Sequence, residues 1–301
     1  MNNPTIYSKR LSHIAAQGFS LVELLVSVAI GLLVLAAVTS LLVSQKNTYR
    51  TQDDSSRVQE NGRLLMQVLT HDFRIVSHPS FASGVPAATF AGITTLPTTG
   101  TFSGSPPALS ALNDTGLNNS DEFSLSFYGE DKSTPGQSDN SIMDCQGNVA
   151  KSADLVTERF YVALDNVGAG ASNEPSLFCE VIAGPMGPLP GKVVITGVES
   201  MQALYQEDLS GNMSKFRFVS ANVVGSMDQV KAALISVVLR GPGGGNSQGQ
   251  TVFNHFGTQY APGNTAPSGD SGSVFTVPTA SSNDGKLRKQ YTFLVGIRNR
   301  L

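Results

Sequence analysis

The chain has 301 residues, of which 14% are charged, and its formal net charge is −3. This balance gives no support to nucleic-acid binding, because the chain holds no run of lysine and arginine. The 30 glycines and 15 prolines favour a loop-rich β protein over a helical bundle, and the length allows one large or two small domains.

The first element predicted is an apolar helix from Phe19 to Val43. Its length of about 37 Å exceeds the hydrocarbon core of a bilayer, which is about 30 Å thick. A leader carrying Lys9 and Arg10 precedes the helix and should stay in the cytoplasm, which places the rest of the chain in the periplasm. Because no small-residue cleavage site follows a short apolar core, the segment is interpreted as a membrane span.

A single carboxylate, Glu23, interrupts this apolar segment five residues after Gly18. A charge at the centre of a bilayer costs about 2–3 kcal/mol, so Glu23 is a functional candidate. One interpretation is an ordinary membrane anchor with a tolerated polar residue. The other is a processed assembly helix, which is cut after Gly18 and whose Glu23 meets a charge on a partner.

Together, Gly18, Phe19 and Glu23 resemble the prepilin signature shared by type IV pilins and type II secretion pseudopilins. The resemblance implies that prepilin peptidase cleaves between Gly18 and Phe19 and methylates the new amine of Phe19. It also implies that Glu23 neutralises the Phe19 amine of an adjacent subunit. An unpaired carboxylate is costly in hydrocarbon, so this pairing should set the axial register of a helical stack.

The helix should continue beyond the membrane through residues 44–77, because no proline occurs before His78-Pro79. Gly62 weakens this prediction by about 1 kcal/mol. One face of the continuation is apolar at helical spacing, which predicts that it packs on a folded domain. The residues of this face are Val58, Leu65, Leu69, Phe73 and Val76.

Beyond the helix, residues 78–301 should form a β-rich domain. Residues 79–120, 241–249 and 262–273 are rich in Gly, Pro, Ser and Thr and are predicted as loops, the first with one short strand. Alternating or continuous apolar runs predict strands. These runs lie at 123–128, 155–164, 177–182, 192–206, 215–220, 234–239 and 290–297, and the first is expected to be half buried.

A series of landmarks along the chain resembles the PilW family of minor pilins, which act in type IV pili. Two departures occur: Ser77-His78-Pro79 lacks a Gly-Cys pair common in the family, and Met227 replaces an aromatic residue. The landmarks are Gln59–Arg63, His71–Arg74, Asp144–Asn148, Glu158–Val162, Leu177–Cys179, Val198–Tyr205 and Arg298–Arg300.

This resemblance implies an α+β, type IV pilin-like fold, in which a long N-terminal helix packs on an antiparallel β-sheet with long loops. Four segments follow: a leader at 1–18, a transmembrane and assembly half-helix at 19–43, an amphipathic half-helix at 44–77 and a periplasmic domain at 78–301. The protein is expected in the inner membrane as a single-pass protein before assembly and in a cell-surface pilus afterwards.

The two cysteines, Cys145 and Cys179, both follow the membrane segment. In an oxidising compartment they are expected to form a disulfide, which would contribute roughly 3–4 kcal/mol. The alternative is a pair of buried free thiols.

Each sequence that resembles a catalytic or binding motif lacks the neighbouring residues which that chemistry requires. Neither enzymatic activity nor a cofactor or metal is therefore predicted. Residues 269–272 resemble the nucleophile loop of trypsin-like proteases but lie in a low-complexity tract without a partner histidine motif. Residues 241–245 lack the Lys-Ser/Thr of a phosphate-binding loop. Residues 208–212 resemble part of a calcium loop without its acidic ladder, and a hairpin turn is the favoured interpretation.

The function expected from the resemblance is that of a minor pilin which primes type IV pilus assembly at or near the tip and supports twitching motility and adhesion. Its partners would be other minor pilins, the major pilin, prepilin peptidase, the inner-membrane assembly platform and a tip adhesin. The alternatives are a J-like minor pseudopilin of type II secretion and a membrane-anchored periplasmic binding or adhesion module.

Overall fold

The computed structural model describes residues 18, 20–79, 109–166, 172–244, 250–260, 273–278 and 284–298. The leader before Gly18, Phe19, and residues 262–272 fall outside this set, together with the predictions made for them. The chain divides into two compact units, one that extends to Tyr49 and one that begins at Arg50.

The first element is a helix, α1, that runs from Leu21 to Ile75. It is 55 residues long and, as predicted, contains no proline. The helix ends where Ser77 adopts a left-handed backbone with φ of 63° and the N–H of His78 donates to the carbonyl of Ile75. The end therefore lies just before the predicted stop at His78-Pro79.

The apolar face predicted for the second half of α1 is buried in the domain. Asp54, Gly62 and Asp72 are also buried, although they were not predicted as part of this face. The predicted residues are at most 1% exposed, and they are Val58, Leu65, Leu69, Phe73 and Val76.

Five strands follow in an antiparallel sheet with the order β1-β2-β3-β4-β5. Each strand pairs with its neighbour in the chain, so the sheet is a simple meander. The strands are β1 Leu109–Leu112, β2 Glu122–Tyr128, β3 Leu155–Leu164, β4 Pro175–Ala183 and β5 Leu189–Thr196.

One expectation for this sheet is wrong. Strand β2 was expected to be half buried, but Ser124 and Ser126 on its polar side are only 2% and 1% exposed. The hydroxyl of Ser126 lies 2.9 Å from that of Thr157 on β3, so the polar side is also covered and satisfies part of its hydrogen bonding internally.

The remaining strands form a second sheet and a hairpin. The second sheet has the order β11-β8-β6-β7, and β9 pairs with β10. The strands are β6 Val198–Asp208, β7 Phe216–Val219, β8 Val230–Arg240, β9 Val252–Asn254, β10 Val274–Thr276 and β11 Arg288–Gly296.

The single strand predicted at 192–206 is wrong because Gly197 divides the segment into β5 and β6. Its φ is +81°, and a Cβ at this position would lie 2.6 Å from the carbonyl oxygen of Arg240. Only glycine fits both the backbone and the space. The chain therefore leaves the five-stranded sheet after β5 and enters the four-stranded sheet as β6.

The core of the second unit lies where the C-terminal half of α1 meets the sheets. The rings of Phe73 on α1 and Phe123 on β2 have centroids 5.0 Å apart, and Phe123 lies 5.5 Å from Phe160 on β3. These aromatic contacts join the helix to two successive strands. The predicted architecture, a long N-terminal helix followed by antiparallel β-structure, is confirmed.

Candidate functional site: the N-terminal helix and its attachments

The N-terminal half of α1 presents an apolar surface on all sides. Every residue from Leu21 to Val43 is exposed, and the most apolar window has a mean hydropathy of 2.7. Among the residues that the structure describes, α1 is the one helix long and apolar enough to cross a membrane. A surface of this kind needs a cover of lipid or of other apolar helices.

The predicted processing and register residues lie at the start of this surface. Gly18 is exposed, and no atom of the other described residues lies within 4 Å of the position that a Cβ would occupy. Glu23 is also exposed, and its carboxylate has no ion-pair partner in residues 20–79 or the other described segments. Phe19 lies outside those segments, so its predicted cleavage and methylation remain predictions.

The first attachment of α1 to the β-domain is a contact between Gly62 and the ring of Tyr291 on β11. A Cβ on Gly62 would lie 2.6 Å from Cζ of that ring. The Tyr291 hydroxyl donates a hydrogen bond of 3.2 Å to the carbonyl of Val58, one turn earlier in the helix. The missing side chain therefore allows an aromatic ring to lie directly on the helix backbone.

The second attachment joins Asp54 of α1 to the loop after β8. Asp54 is 4% exposed, and its Oδ1 accepts a hydrogen bond of 3.0 Å from the N–H of Gly243. A Cβ on Gly243 would lie 2.3 Å from the Asp54 carboxylate, so the loop approaches through its backbone. A buried carboxylate held by a backbone N–H fixes the start of the packed half of the helix.

Cys145 and Cys179 are joined by a disulfide, with their Cα atoms 6.4 Å apart. The bridge ties the loop before β3 to the centre of β4. A turn presents Cys145, because the Oδ1 atom of Asp144 accepts hydrogen bonds of 2.9 Å from the N–H groups of Gln146 and Asn148. The disulfide expected from the sequence is thus present in the fold.

A buried carboxylate, Glu158 on β3, lies directly beneath the disulfide. Its Oε2 accepts a 2.8 Å hydrogen bond from the N–H of Cys145, and its side chain is fully buried. Burial raises the pKa of Glu158 well above its usual value, and the nearby charge of Asp72 raises it further. Both effects disfavour the charged form of Glu158 in the folded domain.

Asp72 on α1 belongs to the same acidic cluster. Burial raises its pKa, while a 2.9 Å contact with the ring of His71 acts in the opposite direction. Its Oδ2 and the Oε1 of Glu158 have no hydrogen-bond partner among the described residues. Together with the disulfide, this cluster links α1, the Cys145 loop, β3 and β4.

One group in the described segments combines three residues of types that ligate metals: Cys145, Glu158 and Cys179, whose ligand atoms lie within 4.8 Å of one another. The disulfide occupies both sulfurs, so they are not thiolates in this state. The described histidines, His71, His78 and His255, are not part of this group. His255, for example, is buried between the hydroxyls of Ser200 and Ser236, and burial lowers its pKa to about 4.

The loop at 208–212, which resembles part of a calcium site, is organised by Asp208 as a hairpin turn between β6 and β7. Its Oδ1 accepts hydrogen bonds from the N–H groups of Ser210 and Gly211, and its Oδ2 accepts one from Met213. These hydrogen bonds, that of Ser210 first, lower the pKa of Asp208. Both carboxylate oxygens already close the turn, which supports the hairpin interpretation.

The alternation of β3 could have revealed Glu158 from the sequence alone. It shares its strand face with Val156, Phe160 and Val162, which are all at most 1% exposed. The contacts of Gly62 and Asp54, by contrast, depend on segments that follow more than 180 residues later, and no local pattern predicts them.

Two family models match the chain. Residues 159–299 match PilW, the type IV pilus-assembly protein W, and residues 15–39 match the prokaryotic N-terminal methylation motif. No curated protein matches the sequence significantly. A type IV-like pilin from Thermus thermophilus is similar in structure, with 16% identity, a TM-score of 0.43, and coverage of 81% of this chain and 97% of that chain.

The two family matches lie in separate parts of the chain and agree with each other. The methylation motif includes Gly18 and Glu23, and the PilW match begins at Arg159 on β3 and extends beyond β11. The long apolar helix and the disulfide-tied β-domain belong to the same chain. The two matches support a PilW-like minor pilin of type IV pili.

Proposed function

We propose that this protein primes assembly of a type IV pilus and is incorporated at or near the pilus tip, where it supports piliation, twitching motility and adhesion. The observation that carries the proposal is the exposed apolar surface of Leu21–Val43 with the exposed carboxylate of Glu23 at its start. The inner membrane covers this surface before assembly, and the helices of other pilins cover it afterwards. The same helix thereby serves as anchor and as assembly interface.

Processing precedes assembly in this proposal. Prepilin peptidase cuts between Gly18 and Phe19, where the exposed glycine leaves the scissile backbone uncrowded. The methylated amine of Phe19 in one subunit then faces Glu23 of its neighbour. Pairing these charges in an apolar environment favours the correct register, because any other register leaves the carboxylate unpaired.

The size of the mature chain supports a subunit that is used in few copies. Removal of residues 1–18 leaves 283 of the 301 residues, with 18 basic and 23 acidic side chains. A bulky domain of this kind suits the end of a filament better than its repeating wall. Its partners are then other minor pilins, the major pilin, the inner-membrane assembly platform and a tip adhesin.

The proposal is tested with Glu23→Gln, which removes the charge and keeps the shape. The variant is produced in a strain that lacks the parent gene, and sheared surface pili and protein secretion are both measured. We expect piliation to fall strongly while the membrane level of the protein stays the same. Thr39→Val is the matched control, because the Thr39 hydroxyl donates to helix carbonyls, those of Leu35 and Ala36.

The alternatives predict other outcomes. A type II secretion pseudopilin would lose protein secretion while piliation stayed normal. A membrane-anchored binding module that works alone would tolerate Glu23→Gln in both assays. Either outcome would contradict the proposed role in pilus assembly.

A further inference from the structure

A groove of about 500 Å³ runs along the outer side of α1 in the second unit. It extends over the last three turns of the helix, and Arg298, two residues after the end of β11, also lines it. Its walls combine basic and apolar side chains. The lining residues are Arg63, Met66, Gln67, Thr70, His71, Arg74, Ile75 and Arg298.

The arginines of this groove differ from most other arginines in the described segments. Nine arginines are described, and five of them form ion pairs with carboxylates. Of the four that have no carboxylate partner among the described residues, three line this groove, and the fourth is Arg50. The three are Arg63, Arg74 and Arg298, and each is exposed.

Local helix chemistry accounts for only one of these three charges. Arg74 lies in the last turn of α1, where a cation is favoured by the helix dipole. Arg63 lies three turns earlier, and Arg298 follows β11, so the dipole stabilises neither. The hydrogen bond with Asp72 raises the pKa of His71, which also lines the groove.

The chemistry of the lining specifies what the groove can bind. Guanidinium groups bind carboxylates through paired, charge-assisted hydrogen bonds. Met66 and Ile75 supply an apolar wall between the charged groups. A matching ligand carries at least two carboxylates around an aliphatic or aromatic side chain.

We infer that this basic groove, lined by Arg63, Arg74 and Arg298, docks an acidic segment of a neighbouring pilin subunit. The inference rests on the proposed function and names one surface by which subunits recognise each other. Charge complementarity argues for a protein segment of acidic character, and the mature chain itself carries an excess of five acidic residues. The groove also lies on α1, the helix that the proposed function assigns to the assembly interface.

The test places a photo-cross-linking amino acid at Gln67, an exposed residue in the groove, in full-length protein in cells that assemble pili. Position 192 on β5 is the control site, because Lys192 is exposed and does not line the groove. Cross-linked products are identified by mass spectrometry. We expect the probe at Gln67 to capture another pilin-type subunit and the probe at 192 not to capture the same one.

Charge reversal decides whether the arginines make the contact. Arg63→Glu/Arg74→Glu should reduce the cross-link about tenfold or more, and Arg298→Glu, on a different element, should reduce it as well. Lys192→Glu/Lys289→Glu changes the net charge by the same amount on exposed strand positions and should leave the cross-link intact. Membrane levels and thermal unfolding of each variant show whether it folds.

Failure of this inference can be distinguished from failure of the proposed function. If the parent is present in sheared pili but Gln67 captures no pilin, or captures one equally well after charge reversal, the groove is not the docking surface. Capture of nucleic acid or of anionic lipid at Gln67 would also overturn the inference. Absence of the parent from pili would overturn the proposed function instead.

Discussion

Substitution of Gly62 by alanine tests the attachment of α1 to β11, because two effects of opposite sign compete there. Alanine is favoured over glycine inside a helix by about 1 kcal/mol. The new Cβ, however, would lie 2.6 Å from Cζ of Tyr291 and 2.8 Å from two further ring atoms. Carbon atoms pack at about 3.5–4.0 Å, so the ring has to move by about 1 Å.

The overlap should exceed the gain in helix propensity. Overpacking of this kind costs about 1–3 kcal/mol, and moving the ring also breaks the 3.2 Å hydrogen bond to Val58, worth about 1 kcal/mol. Gly62→Ala should therefore lower the free energy of unfolding by roughly 2 kcal/mol, which corresponds to a fall in Tm of about 4–8 °C. Thermal denaturation of the full chain in detergent, followed by circular dichroism, measures this change.

The Tyr291→Ala background provides the control. Without the ring, only the helix propensity remains, and Gly62→Ala should then stabilise the protein by about 1 kcal/mol. The reasoning is refuted if Gly62→Ala stabilises the parent, or if its effect has the same sign and size in both backgrounds.

Three further changes test the rest of the β-domain. Replacing Cys145 and Cys179 by serine opens a loop of 34 residues and should lower the free energy of unfolding by roughly 4 kcal/mol, as measured by urea titration. A decrease below about 1 kcal/mol would argue against the disulfide as a major stabiliser. The Glu158→Gln variant should become more stable relative to the parent as the pH rises above 4.5. In that range the raised pKa keeps a proton on Glu158 of the folded parent, whereas the unfolded chain releases it. A difference in Tm between variant and parent that does not change with pH would contradict this. Arg288→Met removes one of the two arginines that pair with the buried carboxylate of Glu199 and should cost about 2–3 kcal/mol. Arg57→Met, at an exposed pair, should cost less than about 1 kcal/mol, and equal losses would contradict the difference in burial.

Patterns that repeat along one element made the helix predictable. The spacing of Val58, Leu65, Leu69, Phe73 and Val76 is the period of one helix face, and all five residues are buried. Strand β3 was predicted with its observed bounds for a similar reason, because its alternation is regular over ten residues. Periodicity of this kind is a property of the local sequence, so a sequence is sufficient to reveal it.

Features that depend on distant segments were not predictable in this way. Gly197 redirects the chain to a second sheet because of a close contact with Arg240, which lies far along the sequence. Strands β9 and β10 have only three residues each, too few for a pattern to be recognised. The basic groove needs Arg298 beside the end of α1, a position that only the tertiary fold determines.

The proposed function requires that this chain is processed after Gly18 and then enters a pilus. Mass spectrometry of the N-terminal peptide, taken from sheared and purified pili, tests both requirements in one measurement. The account predicts a peptide that begins with N-methylated Phe19. A chain that retains residues 1–18, or a processed chain found in the membrane but absent from the pili, would contradict it.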